Sequence, residues 1–179
     1  MTMPTPTSTS RATPVASLTQ RLAQDEVVRA INLLHAAPGL AEFYGALGLD
    51  LVFIDCEKNA FSLAQIEEVA RGARAAGVAS FVRPWANEPG LISRYLDVGA
   101  DGVMVASIDT AAEATALVES VRFARYADYQ DKLVIGMIES PLAIANLDEL
   151  LAVDGVDVWV IGANDLAHRL GWPGQAASK

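Results

Sequence analysis

The chain has 179 residues, 52% of them apolar, and its 22 acidic and 13 basic side chains give a formal net charge of −9 at pH 7. This length and composition predict one globular domain of ordinary size. An acidic surface repels phosphate backbones, so nucleic acid is not an expected partner. The single cysteine, Cys56, permits no internal disulfide, and no apolar run is long enough to cross a membrane. A cytoplasmic protein without a membrane partner is therefore expected.

Residues 1–17 are rich in Thr, Ser and Pro and lack the apolar segment of a secretory signal. Such a composition cannot bury enough apolar surface to fold, and it predicts a disordered tail. The domain is expected to cover residues 18–179.

Short apolar runs then alternate with longer amphipathic runs. The predicted strands are 26–34, 51–55, 78–83, 102–106, 132–139 and 156–161, and the predicted helices are 38–47, 63–76, 88–98, 111–126, 141–152 and 164–170. Ser62 is a candidate helix N-cap. The strands are apolar on both faces, as parallel strands covered by helices are. Six β/α units in strict alternation predict a parallel α/β fold.

A short motif recurs every second unit. It places a glycine near a helix end, an aspartate two residues later and an apolar strand after that, and the aspartates are Asp50, Asp101 and Asp157. Repetition of this kind favours a barrel over an open sheet. We expect the three aspartates to have structural roles at the starts of the strands.

Ionisable residues follow the strands at the opposite, carboxyl ends, where active sites of parallel α/β barrels lie. Glu139 and Asp165 follow neighbouring strands, and two such carboxylates can hold Mg²⁺ or Mn²⁺ with water and substrate oxygens. Alternatively, they are a surface glutamate and a helix-capping aspartate. Arg83 presents a planar fork suited to a carboxylate, either of a substrate or of Asp55, Glu57 or Glu139.

Four segments resemble the HpcH/HpaI aldolase/citrate lyase family: GLDLVFIDCEKNAFSL, FVRP, LDVGADGVMVASIDTAAEA and MIESPLAIANLDELLAVDGVDVWVIGANDLAHRLGWPG. The first resembles the family's Asp-x-Glu-His element. The last resembles its long signature with Ile-Glu and Gly-Pro-x-Asp-Leu elements. The resemblance extends from about residue 27 to residue 174.

The resemblance implies a TIM-type (β/α)8 barrel that oligomerises with copies of itself. It implies cleavage of a 4-hydroxy-2-oxo acid to pyruvate and an aldehyde, with a divalent cation (Mg²⁺, Mn²⁺ or another ion) stabilising the enolate. The implied metal ligands are Glu139 and Asp165. The implied catalytic residues are Arg83, Lys58, Asp55 and Glu57, and the implied substrate-binding residues are Arg83, Ala163 and Asn164.

Three features depart from the family pattern. Lys58 stands where the family has its base histidine, and a lysine accepts a proton only if its pKa falls from about 10.4 toward 7. A glycine-rich loop expected before the fifth strand is absent, and the barrel is expected to stop after its sixth unit. Two alternatives therefore stay open: a non-catalytic homologue or interaction protein, and a related enolate-forming enzyme such as an acyl-CoA lyase. For the latter, no basic cluster that would bind nucleotide phosphates is evident.

Overall fold

The computed structural model describes residues 14–174, which form an α/β fold with one parallel sheet. The strands are β1 (Ala30–Leu33), β2 (Leu51–Asp55), β3 (Ala79–Arg83), β4 (Gly102–Val105), β5 (Leu133–Ile138) and β6 (Val158–Ile161). The helices are α1 (Pro14–Leu22), α2 (Pro38–Ala46), α3 (Leu63–Ala76), α4 (Pro89–Asp97), α5 (Ala111–Ala124), α6 (Pro141–Ala145), α7 (Leu147–Leu151) and α8 (Ala163–Arg169). The predicted α/β class is confirmed.

The sheet has the strand order β1-β2-β3-β4-β5-β6, and every adjacent pair is parallel. Sequential neighbours with intervening helices are the arrangement of a β/α barrel, here a curled half-barrel of six strands. Within the described residues β1 and β6 are the two edges of the sheet. Residues of β2 to β5 are almost all buried, whereas β1 and β6 are partly exposed.

Side chains alternate between the two faces of each strand because the strand repeat is two residues. In β2, Leu51 and Phe53 belong to the cluster inside the half-barrel, whereas Val52 and Ile54 pack with the helices. The inner cluster also contains Leu18 of α1, so the first helix packs on the inside of the sheet. The same alternation in β3 and β5 determines which polar residues reach the interior at the strand ends.

The repeated aspartates have the structural role predicted for them. Each accepts a hydrogen bond from a backbone N–H at the start of the preceding strand, Asp50 from Arg29 at 2.8 Å, Asp101 from Ser80 at 2.9 Å and Asp157 from Val134 at 2.7 Å. The glycines two residues earlier have φ values of 84°, 103° and 99°, a region that glycine enters without steric cost. In each copy of the motif, the aspartate before one strand therefore binds the backbone of the neighbouring strand at its amino end.

Most element boundaries predicted from the sequence are confirmed within a few residues. Strand β2 and helix α3 have the predicted limits, and Ser62 forms a capping box with Gln65. The predicted first strand, 26–34, is shorter, because only Ala30–Leu33 pairs with β2. Among residues 14–174 no helix has the length and apolar character needed to cross a membrane.

Two regions differ from the prediction. Helix α1 begins at Pro14, so residues 14–17 of the predicted tail are helical, and residues 1–13 lie outside the described part of the chain. The predicted helix 141–152 is divided into α6 and α7 at Asn146. The Asn146 side chain donates to the backbone oxygen of Asp109 at 2.9 Å, and asparagine competes poorly for an interior helical position.

Candidate active site

At the carboxyl ends of three strands, charged side chains lie on the inside of the half-barrel. Asp55 continues the inward-facing row of β2, Arg83 that of β3, and Glu139 that of β5. Asp55 and Arg83 are direct partners in the β2–β3 register. Asp55 is 3% exposed and Glu139 is 2% exposed, so these carboxylates are buried at the edge of an apolar core.

Arg83 forms a two-point ion pair with Asp55. Its Nε donates to Asp55 Oδ1 at 2.9 Å, and its Nη2 donates to Oδ2 at 2.7 Å. Burial alone would raise the pKa of Asp55, but the hydrogen bonds and charge of Arg83 outweigh it and the pKa is lowered. Burial would likewise lower the pKa of Arg83, yet Asp55, Glu57 and the nearby Glu139 raise it. Both groups are therefore charged at neutral pH.

Glu57 and Lys58 form the outer part of the same network. Glu57 Oε2 lies 3.2 Å from Arg83 Nε, but the single Nε proton points to Asp55, so this buried oxygen has no hydrogen bond. Lys58 Nζ lies 2.6 Å from Glu57 Oε1. The hydrogen bond and charge of Glu57, with the charge of Asp165, raise the pKa of Lys58 against a smaller effect of burial. This direction is opposite to what a lysine base needs and favours the alternative role of ion-pair partner.

Glu139 is held by a residue from the neighbouring strand end. Its Oε2 accepts hydrogen bonds from the Ser107 backbone N–H at 3.0 Å and from Ser107 Oγ at 3.1 Å. Ser107 Oγ also accepts a hydrogen bond from Arg169 Nη2 at 2.9 Å. A Cβ at Gly162 would overlap the Glu139 side chain, so a larger residue there would displace the carboxylate.

Asp165 lies in the first turn of α8, which follows β6. Its charge contributes to the raised pKa of Lys58. Ala163 and Asn164, the predicted substrate-binding residues, are exposed at the start of the same helix. Ion pairs thus join Asp55, Glu57, Lys58 and Arg83 in one network. Glu139 and Asp165 act on this network through their charges, which raise the pKa of Arg83 and of Lys58 respectively.

The carboxylates suit a hard divalent cation. Within residues 14–174 Glu139 forms no ion pair, and its Oε1 has no hydrogen bond. A buried carboxylate without a direct cationic partner is costly, and a cation would offset that cost. No group of three or more His, Cys, Asp or Glu side chains within this range could hold a metal. Glu139 and Asp165 would therefore need water or substrate oxygens to complete a coordination shell.

Sequence reasoning missed Ser107, Gly162 and Arg169 as parts of the site. Ser107 lies two residues after the end of β4, and this position at a strand end was a usable signal. Arg169 gave no signal, because it lies 62 residues from its hydrogen-bond partner Ser107. Phe53 also belongs to the site, since the Arg83 guanidinium lies 5.5 Å from the centre of its ring.

Residues 31–179 match the family model of HpcH/HpaI aldolase/citrate lyase. The chain belongs to this family. One relative, the hydroxypyruvate/pyruvate aldolase of Rhizorhabdus wittichii, is 32% identical over 151 residues, which cover 73% of this chain and 60% of that protein. The chain thus spans about three fifths of the length of this curated relative.

Two solved structures illustrate that the chain has the fold of known enzymes. The HpcH/HpaI aldolase from Desulfitobacterium hafniense superimposes with a TM-score of 0.80 at 28% identity, covering 89% of this chain and 71% of that one. The citrate synthase SbnG superimposes with a TM-score of 0.81 at 28% identity, covering 90% and 71%. The predicted family and barrel-type fold are confirmed.

Proposed function

We propose that this protein is a divalent-metal-dependent aldolase that cleaves a 4-hydroxy-2-oxo acid to pyruvate and an aldehyde. The observation that carries the proposal is the convergence of Arg83, Asp55 and Glu139 on one buried carboxyl end of the sheet. Membership of a family whose relatives are named aldolases supports the same reaction.

Arg83 is suited to bind the oxygen of a 2-oxo acid. Two of its nitrogens are held by Asp55, whereas Nη1 has only the sulfur of Met137, at 3.8 Å, as a partner. A thioether is a weak acceptor, so Nη1 keeps its capacity to donate to a keto oxygen or to the negative charge that develops on it. Asp55 positions the guanidinium by fixing its plane.

Glu139 and Asp165 would hold the cation, which would supply Lewis-acid stabilisation of the developing enolate charge. Glu139 offers Oε1, since Oε2 is occupied by Ser107. Ala163 and Asn164, at the start of α8, are proposed to contact the carboxylate end of the substrate. Mg²⁺ and Mn²⁺ are the proposed ions because the ligands are carboxylates.

Lys58 favours a second candidate, a homologue that binds a 2-oxo acid without turning it over. Its raised pKa keeps the amine protonated, so it cannot accept a proton from pyruvate or from the aldol hydroxyl. In the aldolase, the proton is proposed to pass through a water molecule to the carboxylate of Glu57, whose buried Oε2 lacks a hydrogen-bond donor.

The protein is further proposed to act in the cytoplasm on small 2-oxo acids, as a homo-oligomer and without nucleic acid or membrane partners. The net charge of −9 supports the absence of nucleic acid. Exposed apolar side chains at both edges of the half-barrel support association, among them Leu34, Phe43, Ile161 and Trp172.

The test is exchange of the pyruvate methyl protons in D₂O, followed by NMR with Mn²⁺ or Mg²⁺ removed and restored. Enolate formation alone produces this signal, so no aldehyde needs to be known. The aldolase proposal expects exchange that stops with chelator and in Glu139→Gln. Arg122→Gln, which changes a surface arginine on α5, is the matched control and should exchange at the unchanged rate.

A folded protein that binds pyruvate but shows no exchange would instead support the non-catalytic homologue. Exchange that persists with chelator would contradict the metal dependence. Binding of pyruvate is measured separately by saturation-transfer NMR, so that the two outcomes are distinguished.

A further inference from the structure

Ser107 has an unusual backbone conformation for its residue type. Its φ of 54° lies in the left-handed region, which non-glycine residues seldom adopt. This conformation turns both the backbone N–H and the hydroxyl of Ser107 toward the same oxygen, Glu139 Oε2, at 3.0 Å and 3.1 Å. Non-glycine residues in this region cluster at functional sites, where surrounding contacts hold them.

Arg169 determines the direction of the Ser107 hydroxyl proton. An arginine side chain has donors and no acceptor, so the hydroxyl must accept the hydrogen bond from Arg169 Nη2 at 2.9 Å. Its single proton is then available for Glu139. With Oε2 held by two donors, the carboxylate is fixed in orientation and Oε1 is left for a ligand, beside the space that Gly162 provides.

The same contact connects both proposed metal ligands. Arg169 and Asp165 are four residues apart on α8, and residues at this separation lie on one face of a helix. The bond from Arg169 to Ser107 therefore holds the helix that carries Asp165 against the loop that holds Glu139. Within residues 14–174 Arg169 forms no ion pair. Its guanidinium is connected to the site by the hydrogen bond to Ser107.

We infer that Ser107 and Arg169 are positioning residues that orient Glu139, and its spacing from Asp165, for cation binding. The inference rests on the proposed function, because it assigns these residues to the cation site of that reaction. Residues that orient a metal ligand through hydrogen bonds typically contribute about 10- to 100-fold to metal affinity. Ser107 and Arg169 are expected to act in this range without touching the substrate.

The experiment measures Mn²⁺ affinity of the full chain by electron paramagnetic resonance, and thermal unfolding of each variant without metal. Ser107→Gly removes the hydroxyl but takes the left-handed conformation without strain. It should bind Mn²⁺ about 10-fold more weakly, with a melting temperature no lower than that of the wild type. A purely structural serine would lower the melting temperature and leave the affinity unchanged.

Arg169→Met should weaken Mn²⁺ binding by a similar factor, whereas Arg169→Lys, which keeps a donor, should recover part of it. Ser62→Ala and Arg122→Gln are the matched controls, because they remove a capping hydroxyl and a surface guanidinium outside the site. Both should bind Mn²⁺ with the wild-type affinity.

The outcomes distinguish failure of the positioning role from failure of the metal-dependent function. Mn²⁺ binding in the wild type that is lost in Glu139→Gln, but unchanged in Ser107→Gly and Arg169→Met, would overturn this inference alone. A folded wild type without Mn²⁺ binding would overturn the metal-dependent function and the inference with it.

Discussion

Both ends of the strands carry acidic side chains, but the two sets are held by different hydrogen-bond partners. At the amino ends, Asp50, Asp101 and Asp157 each accept a backbone N–H from the preceding strand. At the carboxyl ends, Asp55 and Glu57 meet a guanidinium from the next strand. The amino-end acids repeat along the sequence, whereas the carboxyl-end acids do not.

This comparison separates structural from functional carboxylates. An acid bound to backbone stabilises any chain with the same strand geometry, so it recurs wherever that geometry recurs. The carboxyl-end acids are bound by side chains or loops found at one place only, Glu57 beside Arg83 and Glu139 on Ser107. Glu57 Oε2 and Glu139 Oε1 are left without protein donors. Ligand binding is therefore expected at the carboxyl ends only.

The largest loss of stability is expected for Asp55→Ala, which changes an acid at the carboxyl ends of the strands. Removing this carboxylate leaves the largely buried Arg83 without its main partner, and breaking a buried pair in this way costs about 3 to 5 kcal/mol. The free energy of unfolding, from urea titration, should fall by this amount, and pyruvate exchange should be lost. Glu26→Ala breaks an exposed pair with Arg21 and should cost less than about 1 kcal/mol.

A loss in Asp55→Ala no greater than that in Glu26→Ala would show that Arg83 pairs equally well with Glu57, the other acid beside it. The double variant with Glu57→Gln would then be expected to reveal the full loss. This measurement decides whether the pair or the wider network stabilises the carboxyl ends.

Lys58→His tests the proton acceptor at the same end. Imidazole, with an ordinary pKa of about 6.5, is largely neutral at pH 7, and a positioned general base accelerates proton transfer by about 100-fold or more. The rate of metal-dependent pyruvate exchange should therefore rise by about this factor. Lys58→Gln should leave the rate unchanged, since the protonated amine of Lys58 takes no part as a base. A fall in rate in Lys58→Gln would contradict this assignment.

Asp101→Ala tests whether the aspartates at the amino ends of the strands contribute to stability alone. Asp101 Oδ2 accepts hydrogen bonds from the Ser80 N–H at 2.9 Å and the Ser80 hydroxyl at 3.2 Å. Loss of hydrogen bonds to a charged group, with a buried N–H left unpaired, should cost about 2 kcal/mol of unfolding free energy. The Mn²⁺ affinity and the exchange rate of the folded fraction should not change. A change in either would contradict the division between the two ends.

The smallest expected effect is a difference in pH dependence between Asp50 and Asp157. Desolvation would raise the pKa of Asp50, but hydrogen bonds from Arg21 and the Arg29 N–H lower it. Desolvation of the Asp157 carboxylate raises its pKa against the single Val134 N–H. Asp50 therefore contributes stability above its unfolded pKa of about 3.8, which is lost as pH falls through the lower folded value.

Asp157 has the opposite sign, because its raised pKa makes its contribution largest at low pH and reduces it as pH rises above about 4. Asp50→Asn should thus destabilise the protein more at about pH 7 than at about pH 3, and Asp157→Asn should do the reverse, each by less than about 1 kcal/mol. Unfolding free energies at the two pH values check both signs. Equal signs would show that the two aspartates share one electrostatic environment.

Much of the fold could be predicted from local patterns. Alternating apolar and amphipathic runs predicted six β/α units, and the predicted strands placed Asp55 and Glu139 at carboxyl ends. The capping box of Ser62 was equally local, since its partner Gln65 is three residues away. These features depend on residues close in sequence, and they were confirmed.

Other features depend on contacts that local patterns do not encode. The division of the helix at Asn146 results from a hydrogen bond to Asp109, and α1 packs through Leu18 on a core assembled from distant strands. The partner of Arg83 was left open among three acids, and the β2–β3 register selected Asp55.

The sequence by itself determined the family, the parallel α/β class and the identity of the charged residues at the carboxyl ends, because motifs and periodicity are local properties. Only the tertiary structure decided that Ser107 connects Arg169 to Glu139, and that Glu57 raises the pKa of Lys58. Hydrogen-bond geometry and proton affinity depend on distances between residues far apart in the chain, and the folded sheet sets those distances.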